Sequence, residues 1–250
     1  MMFAAAAVLF LPTLFFKQVS ADTYIFGIIA GILSVVFQLA YMFAFSCGKP
    51  VLVTTINNFS LFIPVAVSCL FLSEKFEITD LIALLFAAAS IWFITSKSTD
   101  KTESASASGR WLWFALIAFL CGGSYSTVQK IYAATSLNFD VFSFVATTYI
   151  TASLLSFVAY KIVSGKSKTD WKEKKSAIIS GGFAGVFLGT FQCVNTYAAS
   201  VISSIILYPT YTCSTNIVFA IIRMVFFKEK LSKKQILGAV LGLCSILFMQ

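Results

Sequence analysis

Nine uninterrupted apolar runs occupy almost the whole chain, at residues 3–16, 24–46, 50–72, 78–96, 110–133, 139–163, 176–200, 203–227 and 233–249. No other feature limits the possible folds as much. A helix needs about 20 residues to cross about 30 Å of hydrocarbon, and most of these runs are long enough. Hydrophobic residues make up 59% of the chain and charged ones 11%, with a mean hydropathy of +0.90. A soluble domain carries roughly 25% charged residues and hides its apolar surface in a core. This chain has too much apolar surface to hide, so lipid is the expected solvent. Backbone N–H and C=O groups in lipid must pair internally, which leaves helix bundles and closed barrels. Barrel strands would alternate polar and apolar positions over about ten residues, and these runs do not. The expected fold is all-α: a polytopic membrane helix bundle of about nine transmembrane helices.

The net charge of +8 invites a nucleic-acid reading, but the basic residues sit in short loops between apolar runs, where membrane topology accounts for them. No nucleic-acid partner is expected. The six cysteines (Cys47, Cys69, Cys121, Cys193, Cys213, Cys244) form no C-x-x-C pair, and the chain has no histidine. They read as small apolar packing residues, and neither a metal nor a cofactor is expected. The first run lacks a basic segment before it, so no cleavable signal peptide is expected.

A polar stretch at 97–109, KSTDKTESASASG, separates two halves that repeat one another. Phe37-Gln38 recurs as Phe191-Gln192. The same offset takes Gly27 and Gly31 to Gly181 and Gly185, and Ala44 and Ser46 to Ala198 and Ser200. One residue further in register, Glu74-Lys75 matches Glu229-Lys230. The expected domains are a first repeat of four helices at 1–96, the linker at 97–109, and a second repeat of five helices at 110–250. An odd number of spans per repeat unit inverts one half relative to the other, as in many secondary transporters. All Lys and Arg except Lys17, Lys75 and Lys130 fall on one side of a nine-span topology. The positive-inside rule makes that side cytoplasmic, with the amino terminus inside and the carboxyl terminus outside.

A small-polar helix, a short turn, a helix ending in F-L-x-E-K or its variant, and a small-residue-rich helix occur twice. In this pattern the chain resembles the drug/metabolite transporter superfamily, specifically its EamA-like transporters. The resemblance covers essentially the whole chain. It implies ten helices in a five-plus-five inverted repeat, both termini cytoplasmic, and export as the commoner direction. Against that plan the first helix lacks a counterpart here, and the charge-derived position of the carboxyl terminus differs.

All 10 acidic residues fall in loops or at helix ends. A carboxylate inside a span, the mark of many proton-coupled carriers, is therefore not expected. Without histidine or such an acid, no hydroxyl or thiol has a general base, so the chain does not read as an enzyme. What remains is neutral polar side chains, which should face the bundle interior. Gln38 and Tyr41 share a face of the second run, and Gln192 and Asn195 share the equivalent face of the seventh. Asn57 and Asn58 lie on the third run, Tyr125 and Gln129 on the fifth, and Tyr208, Tyr211 and Asn216 on the eighth. These eleven positions are the candidate substrate-binding residues. Two readings stand for them: a polar, aromatic cavity for a neutral or zwitterionic solute, or interhelical hydrogen bonds that hold the bundle together. Lys130 and Arg223 either attract an anionic group or snorkel to the interface. Gly27-x-x-x-Gly31 reads as a close helix contact, and Pro64 and Pro209 as kinks.

The function expected is transport of a small metabolite, amino acid or drug-like solute by alternating access, in a multi-pass protein of the plasma membrane. Its partners would be the solute, the bilayer and, in a homodimer, a second copy. The alternatives are an anion, phosphate-ester or nucleotide-sugar exchanger, which needs several cavity cations, and a non-transporting scaffold or receptor subunit. The charge argument makes one outcome checkable. In a variant without native cysteines, a cysteine placed in loop 161–175 or 223–234 should react with an impermeant maleimide only after the membrane is permeabilised. Labelling of intact cells would reverse the orientation.

Overall fold

A computed structural model describes residues 3, 19–48, 50–95, 110–136, 139–163, 171–226 and 232–248. The first apolar run beyond Phe3, the linker 97–109, and most of the two basic loops, with Glu229-Lys230, lie outside these residues, as does the side chain of Arg223. The other eight runs are helical, and no strand occurs among the described residues. In chain order they are α1 (Ala21–Cys47), α2 (Pro50–Asn58), α3 (Phe62–Phe71), α4 (Ile78–Thr95), α5 (Arg110–Thr135), α6 (Val141–Val163), α7 (Trp171–Val201), α8 (Ser204–Phe226) and α9 (Lys233–Phe248). One run is split: a 3-10 turn at Phe59–Leu61 joins α2 to α3. Pro64, three residues on, has no N–H for the Ser60 carbonyl, and a tighter turn there is a usual response.

Ala21–Cys47, Leu52–Phe71, Arg110–Thr135, Val141–Lys161 and Ser204–Phe226 are each long and apolar enough to cross a membrane, while Ile78–Ile94 and Lys234–Phe248 are shorter apolar helices. The surface of α1 points to the solvent. Its outer stripe is Ile25, Ile28, Ile29, Ile32 and Val36, all exposed, whereas Gly27, Ala30 and Gly31 are buried. A water-soluble helix buries its large apolar residues. Here the small ones are inside, as expected where lipid is as apolar as leucine and helices gain most by approaching closely.

The chain divides into two compact units: Met1–Val36 with Val128–Val201, and Phe37–Thr127 with Ile202–Gln250. Both draw on the two sequence halves. In the first unit α6 packs along α7, and α1 lies against α6 at its glycines. A Cβ on Gly27 would stand 2.7 Å from Thr147 Cβ, and one on Gly31 would stand 2.7 Å from the Thr148 carbonyl oxygen. The Tyr132 hydroxyl gathers three segments: it accepts from the Asp140 N–H at 3.0 Å, donates to the Asp140 carbonyl at 3.2 Å, and lies 3.0 Å from Thr23 Oγ1. Its ring stacks on Phe144 at 4.5 Å.

In the second unit α4 and α9 run antiparallel in close contact. Gly238 meets Ile94, Gly242 meets Ser90, and Ser245 Oγ donates to the Ala83 carbonyl at 2.8 Å. Leu61, Val65, Leu84, Ile91, Ile205 and Tyr208 form a core that joins α3, α4 and α8. The glycine contact in the first unit sets an expected outcome. Gly31→Val should destabilise the protein by about 1–3 kcal/mol through overpacking, read as a lower melting temperature in detergent. An unchanged melting temperature would mean that α1 does not rest on α6 at this point.

Candidate functional site

The second unit contains a cleft of about 260 Å³. Four parts of the chain line it. From α1 comes Tyr41; from α2 and the 3-10 turn come Thr54, Asn57, Asn58, Ser60 and Leu61; from α5 comes Ser126; and from α8 come Tyr208, Tyr211, Thr212, Thr215, Asn216 and Phe219. The α8 residues recur at helical spacing, which puts Tyr208, Tyr211, Thr212, Thr215, Asn216 and Phe219 on one stripe. Among the described residues no charged side chain lines the cleft.

Hydrogen bonds fix the walls to one another. Tyr208 Oη donates to the Ser126 carbonyl at 2.8 Å, and the Tyr41 and Thr54 hydroxyls are 3.4 Å apart. Thr215 Oγ1 donates back to the Tyr211 carbonyl at 2.7 Å. Asn58 Nδ2 donates to Asn216 Oδ1 at 3.2 Å, so an amide–amide bond joins α2 to α8. Asn57 Oδ1 and Asn216 Nδ2 are buried and have no partner. Magnitudes decide between glue and function here. One interhelical bond in a membrane protein contributes about 0.6 kcal/mol, while each unpaired buried amide atom costs about 1–3 kcal/mol. As glue the three asparagines would be a net loss, so stability alone does not account for them.

Six of the eleven sequence candidates therefore meet in this cleft: Tyr41, Asn57, Asn58, Tyr208, Tyr211 and Asn216. Gln38 and Tyr125 belong to the same unit, half-buried, and do not line it. Gln129, Gln192 and Asn195 lie in the first unit. There Gln129 Nε2 donates to Thr196 Oγ1 at 2.7 Å and Asn195 Nδ2 donates to Gln129 Oε1 at 3.2 Å, while Gln192 Nε2 is buried without a partner. Sequence reading picked Tyr125 and missed Ser126. One residue is a rotation of about 100° on a helix, and the Ser126 carbonyl that Tyr208 uses leaves no mark in the sequence.

Two charged residues have structural partners that spacing did not reveal. Lys130 is buried, and its Nζ donates to the Ala199 carbonyl at 3.0 Å. That carbonyl is among the last of α7, which lack intrahelical donors, and a cation there also suits the helix dipole. Lys130 is thus held at the end of α7 and is not among the residues that line the cleft. Glu74 caps α8: both of its carboxylate oxygens accept from the Ser204 N–H, at 3.1 and 3.0 Å. The turn that brings it there depends on Ser73, whose φ of 53° lies in the left-handed region. Ser68 supports the same start with a 2.6 Å hydrogen bond to Ser204 Oγ.

The model of the EamA-like transporter family matches residues 109–250, more than half of the chain. The chain belongs to the EamA-like transporter family. It is accordingly a membrane protein of a family that transports small solutes. This EamA-like chain also resembles a solved crystal structure, with a TM-score of 0.75 and 11% identity, over 99% of this chain and 85% of that one. At that identity the likeness speaks for the fold. No curated protein matches the chain.

The cap on α8 bears on the cleft because α8 supplies most of its lining. Glu74→Ala should destabilise the protein by about 0.5–2 kcal/mol, the usual loss of a helix N-cap. Glu74→Gln keeps an acceptor and should lose only the charge–dipole part, about 0.3–1 kcal/mol. Equal melting temperatures for all three proteins would show that the contact does not hold α8.

Proposed function

We propose that this protein carries a small, uncharged polar solute across a membrane by alternating access, and that the cleft of the second unit is where the solute binds. The observation that carries this reading is the lining: hydroxyl, amide and aromatic side chains from four parts of the chain, with two amide atoms unpartnered and no charged side chain among the described residues. Buried polar groups of this kind are placed for orientation and specificity rather than stability. An anion or phosphate-ester exchanger would need cations in the cleft; the described residues offer none there, and Lys130 is engaged at the end of α7. Gln38 and Gln192 remain proposed contributors on the strength of their matched places in the two halves.

An inverted repeat supports the alternating-access part of the proposal. The offset that pairs Glu74 with Glu229 also pairs Ser90 with Ser245 and Ala87 with Gly242. These residues lie on α4 and α9, which run antiparallel against each other. Rocking of one repeat against the other is the general scheme for carriers of this build. Export from the cytoplasm, residence in the plasma membrane and assembly as a homodimer complete the proposal, on the family resemblance alone.

Flux of neutral, zwitterionic and anionic metabolites into or out of proteoliposomes tests it directly. Neutral solutes should be the ones carried. Asn58→Leu should cut their flux about tenfold, since it removes the bond that fixes the Asn216 amide for a solute, and one good polar contact is worth about 1.4 kcal/mol. The double variant Gln38→Leu with Gln192→Leu should reduce flux at normal abundance. Selective flux of anions, or wild-type rates in Asn58→Leu, would overturn the assignment of this cleft.

A further inference from the structure

Three asparagine amides meet at the cleft, and their hydrogen-bonding capacity does not close on itself. Asn58 Nδ2 is given to Asn216 Oδ1 at 3.2 Å, leaving Asn216 Nδ2 as an unmet donor and Asn57 Oδ1 as an unmet acceptor. One sits on α8 and the other on α2, and both residues line the cleft. Both atoms are sealed from water, while the side chains that carry them line the cleft. A group that enters the cleft and satisfies both must present an acceptor to Asn216 and a donor to Asn57. A carboxamide or the N–H/C=O edge of a lactam does this with an oxygen and a nitrogen on one carbon, in one plane.

Other features of the cleft point the same way. Tyr208 spends its hydroxyl on the Ser126 carbonyl, so it offers a solute its ring, and Phe219 can offer nothing else. Aromatic faces favour a flat partner. A volume of about 260 Å³ lies below the roughly 300–1,000 Å³ of sites for drug-sized ligands, which fits a single ring or a short chain. We propose that the cleft recognises a small neutral amide, either a primary carboxamide or a lactam edge, which pairs with Asn57 and Asn216 while the Asn58–Asn216 bond holds the second of these amides in place. This rests on the cleft being the solute site.

The test uses the full-length protein in liposomes and three flat probes of like size: nicotinamide, methyl nicotinate, which lacks the donor, and pyridin-3-ylmethanol, which has a hydroxyl instead. Equilibrium binding should favour nicotinamide over the other two by at least about tenfold, well within the discrimination that sites built for a hydrogen bond reach. Asn57→Leu and Asn216→Leu should each bring the three affinities together, with the melting temperature in detergent confirming that the variants fold. Equal binding of the three probes by the wild type overturns the proposal, as does a nicotinamide preference that survives in both variants. If none of the three binds while another neutral solute is carried in an Asn58-dependent way, the amide assignment falls and the cleft stands. If no neutral solute binds or is carried, both fall.

Discussion

Loss of the hydrophobic driving force inside lipid governs everything else in this molecule. Once a helix is surrounded by hydrocarbon, moving leucine from lipid to protein gains little, so packing comes from close approach and from a few hydrogen bonds. The contacts follow from that. Gly27 and Gly31 let α1 reach the threonines of α6, and Gly238 and Gly242 let α9 reach α4, while the isoleucines of α1 stay outside. Polar side chains then become the costly and informative part of the chain, because each must find a partner or a purpose.

Most of them find a partner. Serines and threonines return their hydroxyls to carbonyls one turn back, as Thr147, Thr148 and Thr196 do. Gln129, Asn195 and Thr196 satisfy one another, and Tyr132 closes on Thr23 and Asp140. Charges are spent on helix ends, Lys130 at the last carbonyls of α7 and Glu74 at the first amide of α8. Against that background the unpartnered atoms of Asn57 and Asn216 stand out, and they occur where four parts of the chain leave room for a solute.

Much of the fold was legible beforehand. Apolar runs at 24–46, 110–133 and 203–227 became Ala21–Cys47, Arg110–Thr135 and Ser204–Phe226, since length and hydropathy are properties of a segment alone. Gly27-x-x-x-Gly31 was readable as a close contact for the same reason. The site was legible as a set of residue types and only partly as a place. Asn57, Asn58 and Asn216 were identified from the cost of amides in lipid. Ser126 was not, because its contribution is a carbonyl, and Tyr125 was preferred to it by one helical position.

The sequence by itself determined that the chain lives in a membrane, that it is helical, where its helices run, and which few polar residues need an explanation. Those conclusions depend on composition and periodicity, which are local. Tertiary structure alone decided which polar residues meet: that six of the eleven candidates share one cleft, that Gln129 and Asn195 pair elsewhere, and that Lys130 and Glu74 close helix ends. The physical reason is that a hydrogen bond forms within about 3 Å, and sequence spacing fixes such distances within a helix but not between helices. The break at Phe59–Leu61 belongs to both sides of this division. Pro64 announced it, and only the packing of α2 and α8 placed Asn58 against Asn216 beside it.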